Sequence, residues 1–223
     1  MFNNRIAILA CLLVLSIACQ TPAPPSHTAP SFFTHIQQNF HSYYQQILLA
    51  AIPPATGFDF PVGPPNAKGY YNAQAFYENG HLGDDWNGTG GGNSDFGDPI
   101  YSIADGYVIF AQDIQAGWGK IVRIVHHLPD SLYKSPYSEF PLVESLYAHL
   151  EEITVPLHSF VKKGQQIGTM GNADGIYYAH LHFEIRTLIG LDIGGGYSDD
   201  TTFFTDPTRF INQHREMHEK KVE

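Results

Sequence analysis

Two histidines separated by one residue lie in a stretch with the period-two alternation of a β-strand. The apolar side chains of the stretch fall on one face: Leu181, Phe183 and Ile185. The polar side chains fall on the other: His180, His182 and Glu184. Two imidazoles on one strand face can serve a single site, in which one binds a metal ion and the other reaches what the metal holds. The competing interpretation is a half-buried strand whose polar face happens to carry histidine. For Glu184, a hydrogen bond to a metal ligand and an ordinary exposed position are both open.

A second cluster lies upstream, in the stretch His81-Leu82-Gly83-Asp84-Asp85. His81 and Asp85 are four residues apart, and Gly83 between them allows the backbone to turn tightly. We predict that Asp84 points away from the cluster and is solvated. Two histidines and one carboxylate are enough for a catalytic zinc site that keeps one position open for water. The sequence therefore predicts a fold that brings the two clusters together.

Composition limits the class of protein. The chain has 223 residues, enough for one domain with extensions, and its 21 Gly, 15 Phe and 13 Tyr suit short strands joined by turns. A net charge of -10 argues against nucleic acid as a partner. The two cysteines, Cys11 and Cys19, lie near the N-terminus, so the remainder has no disulfide framework.

The N-terminal quarter, residues 1–54, is organised differently from the rest. Residues 1–19 have the basic start and the apolar run of an export signal, and the stretch before Cys19 resembles a lipoprotein signal in which this cysteine is lipidated. A cleaved signal without a lipid is the rival interpretation. Residues 20–30 form a Pro-rich tether, and residues 31–54 carry the apolar spacing of an amphipathic helix. The main domain is expected over residues 55–210, with a helical tail over 211–223.

The main domain reads as short strands separated by turns. We predict an approach loop from Gly57 to Gly80 and a surface insertion between Leu128 and Glu144. The final helix should begin with Asp206 as N-cap and continue to about Lys220. The predicted strands are Pro99 to Ala104, Gly106 to Gln112, Lys120 to His126, Leu146 to Leu150, Gly164 to Met170 and the strand around His182. His126 and His127 at a strand end are predicted to be structural or to lie at the edge of the groove, without a metal role.

Several motifs together resemble the lysostaphin-type (LytM-like) zinc endopeptidases of bacterial cell walls. They are His81-x-Gly-x-Asp85, Asp105-Gly106-Tyr107-Val108, Tyr147-Ala148-His149-Leu150, Val161 to Gly168, and His180-Leu181-His182-Phe183-Glu184. The similarity covers residues 80–210 in the family's order. It implies a mainly β fold, with an antiparallel β-sheet or β-barrel-sandwich of the LytM-like duplicated hybrid type. A flanking N-terminal helix and a short C-terminal helix would accompany the sheet.

The resemblance also implies a site and an activity. It assigns a zinc ion to His81, Asp85 and His182, and catalytic roles beside the metal to His149 and His180. The implied function is a zinc-dependent endopeptidase that hydrolyses peptide cross-links between peptidoglycan stem peptides through a metal-activated water. A lipid anchor at Cys19 would hold it at the membrane in the cell envelope. Two alternatives stay open: a non-catalytic LytM-like activator of cell-wall amidases, and a secreted zinc peptidase acting on Gly-rich proteins.

Overall fold

The computed structural model describes residues 42–129 and 140–215. The predicted export signal with Cys19, the tether and the first part of the predicted N-terminal helix lie outside these ranges, as do residues 130–139 and 216–223. None of the helices in the two described ranges is long and apolar enough to cross a membrane.

Antiparallel strands make up most of the described chain. The strands are β1 (Tyr70–Gln74), β2 (Asp84–Gly88), β3 (Pro99–Tyr101), β4 (Gly106–Asp113), β5 (Lys120–His127), β6 (Leu142–Ile153), β7 (Phe160–Val161), β8 (Gln166–Met170), β9 (Leu181–Arg186) and β10 (Phe204–Thr205). The main path of hydrogen-bonded neighbours runs β1-β2-β9-β6-β5-β4-β7, while β10 pairs with β9 and β8 links β6 to β3. The predicted mainly antiparallel β fold is confirmed. Its sheet is open, so the barrel form of the prediction is not what the strands make.

The sheet is apolar on the face that carries Leu181, Phe183 and Ile185, all fully buried in the main hydrophobic cluster. The opposite face of β9 is also buried, although it carries His182, Glu184 and Arg186. Burial of charged side chains is costly unless they are paired. The charged side chains of this face must therefore have hydrogen-bond or ion-pair partners within the protein. This face also holds the site described below.

Helices flank the sheet at both ends of the described chain. Helix α1 covers residues 42–51 and packs Leu48 against Val125 and Leu142 in a second apolar cluster. Helix α2 (Pro207–Gln213) begins as predicted, with Asp206 as N-cap accepting a hydrogen bond from the Arg209 amide. It ends at Gln213, well before the predicted Lys220, and His214 is its C-cap.

Several predicted boundaries differ from those of the structure. Strand β1 lies inside the predicted approach loop, where Tyr70–Gln74 pairs with β2. Strand β6 begins at Leu142, so the predicted insertion after Leu128 is shorter at its C-terminal side. The stretch after His81, predicted as a turn, continues into strand β2 because β1 and β9 pair with it on either side.

Candidate metal centre

Three side chains that could hold a metal ion converge beside the paired strands β2 and β9. The Nε2 atom of His81 lies 2.9 Å from Nδ1 of His182 and 3.3 Å from Oδ1 of Asp85. The same Asp85 oxygen lies 3.0 Å from His182 Nδ1. One ligand atom from each residue lies within 4.8 Å of the others, and they are the one such group among the described residues. The two predicted clusters, 101 residues apart in sequence from His81 to His182, therefore meet at one point.

Strand pairing explains the convergence. Asp85 and His182 are direct partners in the antiparallel register of β2 and β9. Gly83 lets the two strands approach, because a Cβ at this position would lie 2.5 Å from the Phe183 carbonyl oxygen. Gly83 does not have a positive φ. The backbone bends at Leu82 and Gly83 before β2 begins, and close packing of backbone against backbone is what requires glycine here.

The second ring nitrogen of His182 faces a buried carboxylate. His182 Nε2 lies 2.9 Å from Oε1 of Glu184, and Oε2 of Glu184 accepts a 2.6 Å hydrogen bond from Nε of Arg186. Glu184 and Arg186 are both fully buried. Of the two interpretations of Glu184, the hydrogen bond to His182 is the one observed, and the exposed position is wrong. With Nε2 engaged by Glu184, Nδ1 is the nitrogen that His182 turns towards His81 and Asp85.

The electrostatics of the cluster suit a cation. Burial alone would lower the pKa of His182, but its hydrogen bonds to the Asp85 and Glu184 carboxylates raise it to about 9. Burial would raise the pKa of Asp85, but hydrogen bonds from His182 and His81 hold it well below its usual value. Positive charge is thus favoured between these side chains. Two imidazole nitrogens and one carboxylate oxygen, already convergent, fit the donor set of a zinc ion with an open position.

His149 enters the site through an irregularity in β6. Lys120 pairs with Leu150 while Val122 pairs with Tyr147, so β6 carries an extra residue at this point, which is a β-bulge. His149 has a φ of 61°, an uncommon left-handed value for a residue other than glycine. Because of the bulge, the side chain of His149 points into the site. The ring centroid of His149 lies 4.6 Å from that of His180 and 5.8 Å from that of His182.

The two remaining histidines differ in their surroundings. Burial, followed by the nearby His180 and His182, lowers the pKa of His149 to about 3, so its imidazole is neutral at physiological pH. Its Nδ1 lies 3.3 Å from the Trp118 carbonyl oxygen. His180 lies just before β9, and its Nδ1 is 2.8 Å from the Tyr178 carbonyl oxygen. Its Nε2 lies 3.9 Å from Oδ2 of Asp85. All five residues singled out in the sequence therefore lie together.

A cavity of about 430 Å³ opens over these side chains. Trp118, Tyr177 and Tyr197 contribute aromatic walls, and Gly195–Gly196 contribute a wall without side chains. Sequence reasoning did not identify these residues, because they belong to no metal-binding motif. Aromatic residues and glycines are so common in loops that their presence in the sequence does not indicate a cavity.

Two further side chains considered in the sequence, Asp84 and His126, have structural roles. Asp84 is buried, which contradicts its predicted solvation. Its carboxylate accepts hydrogen bonds from the Phe76 amide and from the amide and hydroxyl of Thr208, at 3.0, 3.1 and 2.6 Å. It alternates with Asp85 along β2 and so points away from the cluster, as predicted. His126 is fully buried between the Asp105 carbonyl and the Ser145 hydroxyl, in agreement with its predicted structural role.

Comparisons with known proteins point to one family. The model of peptidase family M23 matches residues 85–195, beginning four residues after His81. Lipoprotein NlpD of Yersinia enterocolitica is 36% identical over 90 residues, which are 40% of this chain and 78% of that protein. Murein hydrolase activator NlpD of Escherichia coli K12 is 37% identical over 90 residues, 40% of this chain but only 20% of that protein. The solved structure of the antimicrobial peptidase lysostaphin from Staphylococcus simulans gives a TM-score of 0.43 at 21% identity, covering 64% of this chain and 48% of that one.

Proposed function

The chain belongs to peptidase family M23, and from that premise we propose that it is a zinc-dependent endopeptidase that cuts peptide cross-links of peptidoglycan. The observation that carries the proposal is the convergence of His81, Asp85 and His182, with two further imidazoles, beneath one cavity. A bound zinc ion would act there as a Lewis acid, lowering the pKa of water towards about 7 and polarising the scissile carbonyl. His81 Nε2, Asp85 Oδ1 and His182 Nδ1 would hold it.

His180 is suited to take the proton of the attacking water. A carbonyl oxygen can only accept a hydrogen bond, so the contact with Tyr178 requires the proton on Nδ1 of His180. In the neutral ring Nε2 would then carry the lone pair, on the side that faces Asp85. A neutral imidazole positioned in this way is a general base, a role that contributes roughly a hundredfold to ten-thousandfold in rate.

His149 is suited to a later proton transfer. The Trp118 carbonyl accepts from its Nδ1, so Nε2 of the neutral ring also carries a lone pair. His149 can therefore donate to a developing oxyanion only after it has taken up a proton, and the proton that His180 removes from the water is the one available to it, since the two ring centroids lie 4.6 Å apart. Because burial lowers the pKa of His149 to about 3, the protonated ring would give its proton readily to the leaving amine.

Digestion of purified peptidoglycan sacculi tests the proposed activity. The zinc-loaded protein should release soluble fragments whose masses correspond to hydrolysed peptide cross-links. The metal-free protein and the His180→Ala variant are the controls, and neither should release them. Intact cross-links after digestion with the zinc-loaded protein would refute the endopeptidase proposal, and the fragment masses would identify the bond that is cut.

The second function is activation of another cell-wall enzyme, which the name of the Escherichia coli relative supports. An activator would release no fragments from sacculi by itself, but would increase release when a purified cell-wall amidase is added. The presence of all five histidine and aspartate side chains in one site favours the enzyme. A peptidase acting on Gly-rich proteins would instead leave sacculi intact and cleave a Gly-rich test protein.

We propose that the protein is localised in the cell envelope and carries a lipid on Cys19. Two relatives that are named as lipoproteins support this localisation: lipoprotein NlpD, and outer membrane antigenic lipoprotein B of Histophilus somni. Ala18 before Cys19 and the Pro-rich tether after it also support a lipid-anchored chain. The tether would let the catalytic domain reach peptidoglycan from the membrane surface.

A further inference from the structure

Arg186 is a buried cation whose hydrogen bonds extend in two directions. The side chain is fully buried, and Nε donates to Oε2 of Glu184 at 2.6 Å. On its other side, Nη1 donates to the Leu191 and Asp192 carbonyls at 3.3 and 3.2 Å, and Nη2 donates to the Ile193 carbonyl at 2.9 Å. Burying a guanidinium is costly unless it is paired and its donors are satisfied. Here one carboxylate and three backbone carbonyls satisfy it.

The carboxylate leads directly to the metal centre. Glu184 uses its other oxygen, Oε1, to contact Nε2 of His182 at 2.9 Å. An ionised carboxylate can only accept, so His182 carries a proton on Nε2, and Nδ1, the nitrogen that faces His81 and Asp85, is the one that would bind a metal ion in place of its own proton. Glu184 thereby fixes both the tautomer and the orientation of the ring.

The carbonyls lead to the wall of the cavity. The segment held by Arg186, residues 191–193, continues into Gly195–Gly196, which line the cavity beside Tyr197. The Trp118 indole donates to the Gly194 carbonyl at 3.0 Å and fixes the same segment from the far side. A Cβ at Gly196 would lie 3.3 Å from the Trp118 ring and 3.9 Å from His182. The position of this segment therefore sets the width of the cavity over the metal centre.

A second buried pair holds the same segment without reaching the metal centre. Arg123 donates to Oε1 of Glu144 at 2.6 Å and to the Leu191 carbonyl at 2.8 Å. Oε2 of Glu144 accepts from the Gly190 amide at 2.9 Å. Arg123 thus resembles Arg186 in burial, charge and its contact with the segment. It differs in having no contact with Glu184 among its hydrogen bonds in the described residues.

We propose that Glu184 and Arg186 are positioning residues that couple the metal ligand His182 to the substrate-facing wall formed by residues 191–197. Glu184 holds His182 for the metal. Arg186 holds Glu184 with one edge of its guanidinium and the wall with the other. The inference rests on the proposed function for the identity of the metal and of the substrate. A merely structural role for the two ion pairs would make Arg186 and Arg123 equivalent.

Three variants separate these roles: Glu184→Gln, Arg186→Lys and Arg123→Lys. For each, the zinc dissociation constant is measured by competition with a chelator, and kcat and KM are measured at saturating zinc on a cross-linked stem peptide. Glu184→Gln should raise the zinc dissociation constant by about tenfold to a hundredfold. Arg123→Lys should raise KM several-fold and leave zinc affinity within about twofold of wild type, because lysine cannot reproduce the planar multidentate contacts. Arg186→Lys should raise both the zinc dissociation constant and KM.

The pattern of results decides the proposal. Equal losses of zinc affinity in Arg186→Lys and Arg123→Lys would overturn it, as would wild-type zinc affinity in Glu184→Gln. If Glu184→Gln fails to fold, Glu184→Asp keeps the charge on a shorter side chain and should still weaken zinc binding. Wild-type protein that binds no zinc would instead refute the proposed function. The zinc measurement does not depend on cleavage, so the two failures are distinguishable.

Discussion

His126 makes the stability of the fold sensitive to acid. Its ring is fully buried between Asp105 and Ser145, and burial lowers its pKa from 6.5 to about 4. The unfolded chain therefore binds a proton more tightly than the folded chain, and stability falls as the pH drops from 6.5 towards 4. The whole difference corresponds to about 3 kcal/mol, of which about 2 kcal/mol is lost between about pH 7.5 and about pH 5.

The assay is urea unfolding of the wild type and of His126→Asn at these two pH values. Asparagine does not titrate, and its amide can still donate to the Asp105 carbonyl. The loss of unfolding free energy on acidification should be smaller in the variant by about 2 kcal/mol. Other titrating groups are common to both proteins and cancel in the difference. Ser145→Ala is the matched control: it removes a hydrogen bond of His126, costs about 1 kcal/mol, and should keep the wild-type acid sensitivity. Equal acid sensitivity in wild type and His126→Asn would refute the reasoning.

Three further predictions concern the metal, the second catalytic histidine and the membrane. His81→Ala and Asp85→Ala should each lose zinc by elemental analysis, because each removes one of few protein ligands; full zinc occupancy in both would exclude these residues as ligands. His149→Ala should retain zinc and lose turnover by about a hundredfold or more, so an unimpaired variant would remove His149 from the mechanism. Cys19→Ser should release the protein from the membrane fraction or stall its processing. A wild-type protein that is already fully soluble outside the cytoplasm would show that the signal is cleaved without lipidation.

The period-two alternation of apolar and polar residues predicted strands such as β9, in which the alternation is clear. The alternation of Leu181, Phe183 and Ile185 placed both His182 and Glu184 on the same face of β9, and the structure has this arrangement. Strand β2 was missed because Asp84, Asp85, Asn87 and Gly88 have low β propensity. The strand forms because pairing with β1 and β9 outweighs that propensity.

Burial of charge was the feature that the sequence could not reveal. Glu144 was assigned to a surface insertion, but it is fully buried because Arg123, from the neighbouring strand, pairs with it. Asp84 was predicted to be solvated because it points away from Asp85. It is buried instead, and its partner Thr208 lies 124 residues away in the sequence, so local spacing does not reveal the pair. The left-handed backbone of His149 arises from a register shift between β5 and β6, which a single sequence does not encode locally.

The central claim is the proposal that His182 would hold the metal while His180 would act on the water beside it, although the sequence alternation puts both on one face. The most direct test measures zinc content and cross-link cleavage on the same preparations of His180→Ala and His182→Ala. His180→Ala should keep its zinc and lose roughly a hundredfold to ten-thousandfold in cleavage rate. His182→Ala should lose the zinc and the activity together. An active His180→Ala, or a zinc-free one, would contradict the assignment.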